Sequence, residues 1–193
     1  MFVALAVLRT KETAMGILDK VVSAITPEAS DEDKAKARVE ARKIAGSVGW
    51  LNLILDHHEQ IDAAFADVRE AGSASAQRAA QKKLALLLTG HSIAEEAVIY
   101  PAMALGDQKA HSGEAYTEQS AAKVQTTALD DLEPLSQDYM DKLEHLRAAV
   151  SHHVYEEESD WFPTLRQSSD ATLQNRLTVR YKAEFDRYMG ADS

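Results

Sequence analysis

Apolar residues recur at steps of three and four in several long stretches of this chain, and strict one-by-one alternation is hard to find. That period is helical, and it predicts an all-α protein. The clearest stretch runs from Trp50 to Ala71, where Leu51, Ile54, His58, Ile61, Phe65 and Val68 share one stripe. A second helix is expected from about residue 76 to Met103, after the loop Gly72-Ser73-Ala74-Ser75 and ending near Gly106. A third is expected over about 113–132, broken by Glu133-Pro134. A fourth runs from a Ser136 cap to about Thr164, with Tyr139, Leu143, Leu146, Val150, His153, Glu157 and Trp161 on one face. Four long helices with short connections predict an up-down four-helix bundle.

Further helices flank the bundle. One over 17–25 stops near Thr26-Pro27, a charged one capped by Ser30-Asp31 runs to about residue 47, and a last one opens at Ser168-Ser169-Asp170 and ends near Met189. The expected division is therefore 1–47 as an N-terminal extension with peripheral helices, 48–168 as the bundle, and 169–193 as a C-terminal helix packed on it. Residues 1–14 read as a segment that the fold does not need.

The stripes contain ionisable residues where a dry core is expected. Residues 91–101 read HSIAEEAVIYP and residues 153–163 read HVYEEESDWFP: a histidine, three residues, two glutamates, three residues, an aromatic and a proline, twice. His91 and Glu95, like His153 and Glu157, are four apart and lie one above the other on a helix face, so each pair can grip an ion from one side. His58 precedes His91 by 33 residues and Gln119 precedes His153 by 34, so the chain reads as two helical hairpins in tandem, with Gln119 also pointing inward. Several ionisable groups left in a dry core would cost several kcal/mol each, comparable in sum to a domain's whole stability of about 5–15 kcal/mol. A metal ion compensates them directly.

Composition narrows the metal chemistry. There are no cysteines among the 193 residues, so ligands must come from His, carboxylate, amide or water. A net charge of -10 offers no basic stripe for nucleic acid or an anionic membrane surface. No apolar run approaches the roughly 20 residues of a bilayer span, and the opening FVALAVL has no preceding positive charge, so a cytoplasmic protein is expected. No histidine has a glutamate three residues before it, which excludes the ferritin-like Glu-x-x-His pattern, and neither His-Glu-x-x-His nor an Asp-rich calcium loop occurs.

His58 with Ile61 and Phe65, together with HSIAEEAVIYP and HHVYEEESDWFP, closely resembles the hemerythrin-like HHE cation-binding domain family over roughly residues 48–166. The resemblance implies a four-helix bundle around a non-haem di-iron centre, with the two glutamates bridging and the histidines terminal. Carried over by position, the ligands are His58, His91, Glu95, His153 and Glu157. On the third helix the family usually has Glu-His and this chain has Glu118-Gln119, so Gln119 takes the sixth place as a weak, neutral ligand. Glu118 and His111 rank below it, His111 being expected in the preceding loop. A di-iron site with one labile ion, a mononuclear iron site and another divalent metal all remain open.

Around these ligands, His57, His152, Glu96 and Glu158 are expected at the surface or hydrogen-bonded behind a ligand. Tyr100, Tyr116, Trp161 and Phe162 read as core aromatics, a tyrosine hydroxyl beside the metal being the alternative. The function expected is binding of, or reaction with, O2, peroxide or NO, for sensing, storage or detoxification. Oxidation of an organic substrate at an opened metal site and iron sensing are the competing expectations, and no catalytic residue is assigned. A partner or a second copy would be expected on the outer helices, over 17–47 and 170–189.

Overall fold

The computed structural model describes residues 29–190. The expected helix over 17–25 and the dispensable segment 1–14 lie outside the described residues. Everything regular among the described residues is helical, with no strand, as the three-and-four spacing requires. Helix α1 (Asp31–Ala45) starts at Ser30, whose Oγ accepts from the Asp33 amide, and its first turn carries three acidic residues against the helix dipole. Gly49, at φ 118°, makes the bend into α2 (Trp50–Glu70), a backbone angle that a side chain would strain.

Helix α3 (Ala74–Ala94) is capped by Ser73 and passes into a wide π turn, Glu95–Ile99, before α4 (Tyr100–Leu105). Helix α5 (Lys109–Ala128) ends in a short tight turn at Leu129–Asp131. Ser136 caps α6 (Gln137–Glu156), which passes into a second π turn, Glu157–Trp161, and then α7 (Phe162–Ser168). Helix α8 (Ala171–Met189) starts at Asp170, which accepts from the Leu173 amide.

Both π turns have one local cause. Pro101 and Pro163 lack an amide hydrogen, and their rings crowd the carbonyl four residues back. The helix widens just before each, so that the Tyr100 amide bonds Glu95 O and the Phe162 amide bonds Glu157 O. The third helix begins four residues earlier than its sequence suggests, at Lys109, and His111 lies inside it rather than in a loop.

The core is two apolar clusters with a polar layer between them. One holds Trp50, Leu51, Ile54, Leu55, Met103 and Phe162, and the other Ile61, Phe65, Leu84, Tyr139, Leu143 and Leu146. Each large side chain buried in them stabilises the fold by about 1.5–3 kcal/mol. Helices α2, α3, α5 and α6 form the bundle, α1 covers the second π turn and α7, and α8 lies against α2, α3 and the first π turn. Gln174 and Thr178 of α8 accept from the Trp50 indole and amide, at 2.7 and 2.9 Å, pinning the start of α2. No helix among the described residues is long and apolar enough to cross a membrane.

Candidate metal centre

The polar layer is built where the apolar stripes of α2, α3 and α6 are interrupted at the same level. His58 follows Leu55 and precedes Ile61 on α2, and His91 and His153 arrive from α3 and α6. Glu95 and Glu157 are the first residues of the two π turns. His58, His91, Glu95 and Glu157 are all buried, and one ligand atom from each lies within 4.8 Å of the others. His153 stands beside this group, its Nε2 3.2 Å from Glu157 Oε1. Gln119 is buried too, and its amide nitrogen donates to Glu95 Oε2 at 2.6 Å. All six sequence candidates therefore meet in one layer.

The three histidines share an orientation. His58 turns Nδ1 outward to Glu158 Oε1 at 2.9 Å, and the Arg38 guanidinium on α1 holds that carboxylate at 2.8 and 3.1 Å. Tyr181 Oη lies 3.2 Å from His91 Nδ1 and 2.8 Å from His57 Nδ1. His153 places Nδ1 2.7 Å from Glu118 Oε2. Each outer nitrogen is engaged by a side chain that fixes the ring, which leaves Nε2 facing the layer, as in metal-ligating histidines.

Inside the layer the hydrogen bonding is incomplete. His58 Nε2, Glu95 Oε1, Gln119 Oε1 and Glu157 Oε2 are buried without a hydrogen-bond partner. His58 Nε2 and Glu157 Oε2 face one another at 3.3 Å without the alignment of a bond. Such orphaned atoms cost about 1–3 kcal/mol each unless something occupies the space between them. Carboxylate and imidazole donors converging in this way suit an iron-type or other divalent ion, so the residues present fit a metal.

Protonation tells the same story. Burial opposes charge on His58, but the carboxylates of Glu157 and Glu158 prevail and push the imidazole up to about 9. His153 is raised well above its usual value against the same desolvation, by Glu157 and Glu118. Glu95 is pushed well above the carboxylate range by burial and then by the Glu157 charge. Glu157 goes the other way: despite burial, His153 and His58 hold it ionised. His91 is lowered well below its usual value by burial and by His58, and His57 falls to about 4 for the same reasons. In the metal-free chain, protons on His58, His153 and Glu95 thus hold the charge balance that a cation would take over.

These observations agree with a comparison of the sequence with known families, in which residues 51–165 match the hemerythrin HHE cation-binding domain. The chain belongs to that family. Hemerythrin HHE domains bind metal, and this chain is a metal-binding protein of the hemerythrin type. Among curated proteins, one named DNA nickase from Nostoc sp. (strain PCC 7120 / SAG 25.82 / UTEX 2576) is 29% identical over 96 residues. That stretch is 50% of this chain and 27% of the Nostoc protein, so the chain spans about a quarter of its relative's length. No solved structure matches the chain significantly.

The residues around this hemerythrin-like centre divide between the two places the sequence allowed them, behind a ligand or at the surface, and Tyr116 alone departs from its expectation. Glu158 is no solvated charge: it is 2% exposed and orients His58. Glu96, at the same place in the other string, bonds Lys123 instead. Tyr116 is not a core aromatic, being 37% exposed with its hydroxyl on the Glu96 carbonyl. His57 is buried, stacked on Phe185, and works through Tyr181. Tyr181 and Arg38 were invisible as site residues because they come from α8 and α1, outside the repeat; their one sequence signal is a polar residue on the inner stripe of an amphipathic helix. Glu118, His152 and Glu156 form a second, half-buried group within 4.8 Å of one another, behind His153.

Proposed function

We propose that this chain is a non-haem iron protein of the hemerythrin type, with a di-iron centre that binds or reacts with O2, peroxide or NO. One observation carries the reading: four buried donors, His58, His91, Glu95 and Glu157, converge with unpartnered atoms between two apolar clusters. Ferrous iron held by these residues would supply electrons to a diatomic or peroxide. The protein's part is to hold His58, His91 and His153 in one orientation through Glu158, Tyr181 and Glu118. The clusters on either side keep water out, and Tyr100 Oη offers a proton to Glu157 Oε1 at 2.9 Å. Burial of the donors favours a small ligand over an organic substrate, and the surface concavities beside Arg38 and Val39 and beside Asp62 and Arg69 are lined by none of them. The nickase activity named for the Nostoc relative is not carried over, because the match covers 27% of that protein and the net charge of -10 does not suit a phosphate backbone.

The test is an anaerobic titration of metal-free protein with ferrous iron, counting bound iron per chain, followed by admission of O2, peroxide or NO under a visible spectrometer. Two bound irons and a ligand-dependent absorption band are expected. Retention of no iron, or a loaded protein whose spectrum ignores all three ligands, would overturn the reading.

A further inference from the structure

The two repeated strings differ at a position that bears on the centre: Tyr100 stands in the first where Phe162 stands in the second. Phe162 is fully buried and meets Trp50 edge-on at 5.8 Å, within the apolar cluster. Tyr100 is equally buried, but its hydroxyl leaves that cluster for the polar layer. The π turn makes this reach possible. In an α-helix, residues five apart point about 140° away from each other; the wide turn from Glu95 to Tyr100 closes that angle, so the phenol meets the Glu95 carboxylate on the same face.

There it joins a set of donors. Tyr100 Oη is 2.9 Å from Glu157 Oε1, 3.1 Å from His153 Nε2 and 3.2 Å from Glu95 Oε2, and His153 Nε2 is 3.2 Å from Glu157 Oε1. Two ligands at right angles, each about 2.1 Å from a common ion, are themselves about 3 Å apart, so these separations, hydrogen bonds and an ion pair in the metal-free chain, also match the edges of one coordination polyhedron. This is also the side of the layer that lacks its histidine. Gln119 presents its amide nitrogen to Glu95, which leaves only a neutral carbonyl oxygen as its possible donor.

We propose that Tyr100 Oη is a metal ligand, replacing the missing third-helix histidine at the ion position shared with His153, Glu157 and Glu95. This rests on the iron reading above. In the metal-free chain the hydroxyl donates its proton to Glu157 Oε1. A ferric ion would take the place of that proton, which is released to solvent as the phenolate binds. The loss of an imidazole at 119 and the gain of a phenol at 100 thus compensate one another, and the oxidised centre carries an iron-phenolate bond.

The experiment loads metal-free full-length protein with ferrous iron under anaerobic conditions, oxidises it with ferricyanide, counts iron, and records visible absorption and resonance Raman spectra. The wild type is expected to bind two irons and to show tyrosinate ring vibrations under a charge-transfer band. Tyr100→Phe, which installs the residue of the other string, should keep its helical circular dichroism and one iron, lose the band, and hold the second iron at least about tenfold more weakly. Tyr139→Phe, whose hydroxyl bonds Gln81 within the second apolar cluster, should keep the band. Iron bound by the wild type in any number without tyrosinate vibrations, or a band that survives Tyr100→Phe, overturns the proposal and leaves the iron centre standing. A wild type that binds no iron overturns the iron reading, and the proposal falls with it. Should Tyr100→Phe not fold, wild-type protein grown with ring-deuterated tyrosine decides the point: bands that do not shift overturn the assignment.

Discussion

Residues 91–101 and 153–163 carry one string of residue types and follow one path, a helix, a π turn and a second helix started by proline. Their leading histidine and first glutamate do the same work in both copies. The second glutamate does not: Glu158 is buried between Arg38 and His58, while Glu96 pairs with Lys123 near the surface. The aromatic residue differs as well, with Tyr100 in the polar layer and Phe162 in the apolar cluster. Local sequence sets the path of the backbone, and the helix laid across it sets the task of each side chain. Helix α1 lies over the second copy and brings Arg38, whereas α8 lies over the first and brings Tyr181.

The largest way to sharpen this contrast is to remove the two second glutamates separately. Glu158→Gln leaves a buried histidine and a half-covered guanidinium without their carboxylate, which should destabilise the metal-free protein by about 3 kcal/mol and weaken iron binding about 10- to 100-fold. Glu96→Gln touches a partly exposed pair and should stay within about 0.5 kcal/mol with iron binding unchanged. Urea melts and iron titrations of both variants check the difference, and equal effects would dissolve it.

A comparable change is expected with pH. His58 titrates at about 9 in the folded chain against an ordinary value of 6.5. Its contribution is complete below pH 6.5 and is lost as pH rises through 9, a fall of about 3 kcal/mol in metal-free stability. His57 and His91, held neutral, act on the acid side of pH 6.5, whereas His153, raised in the same direction as His58, adds to the alkaline fall. Thermal melts across the alkaline limb should show the fall in the wild type and a smaller one in Glu158→Gln. Iron-loaded protein should lose the dependence, since a liganded imidazole has already given up its proton.

The smallest effect tests the aromatic pair. Phe162→Tyr puts a hydroxyl among Trp50 and its apolar neighbours and should cost about 1–3 kcal/mol in a denaturant melt. The iron spectrum should not change. A new charge-transfer band in that variant would mean that the two strings are interchangeable after all.

Much of this protein was legible in its sequence. Helical spacing along α2 and α6 is a property of neighbouring residues, so the bundle, its caps at Ser30 and Ser136 and its inward His58, His91, His153, Glu95 and Glu157 follow from local periodicity. Helix α5 starts at Lys109, four residues before the point its sequence suggests, because Lys109 and His111 give no strong stop or start signal. What the tertiary structure alone decided is which polar residues stand behind the histidines and which hydroxyl enters the layer. Arg38 lies 120 residues from Glu158, and Tyr181 lies 90 from His91. Tyr100 and Phe162 differ by one oxygen in the same motif. Their fates separate because burial and hydrogen bonding are settled between elements distant in sequence, where no local pattern reaches.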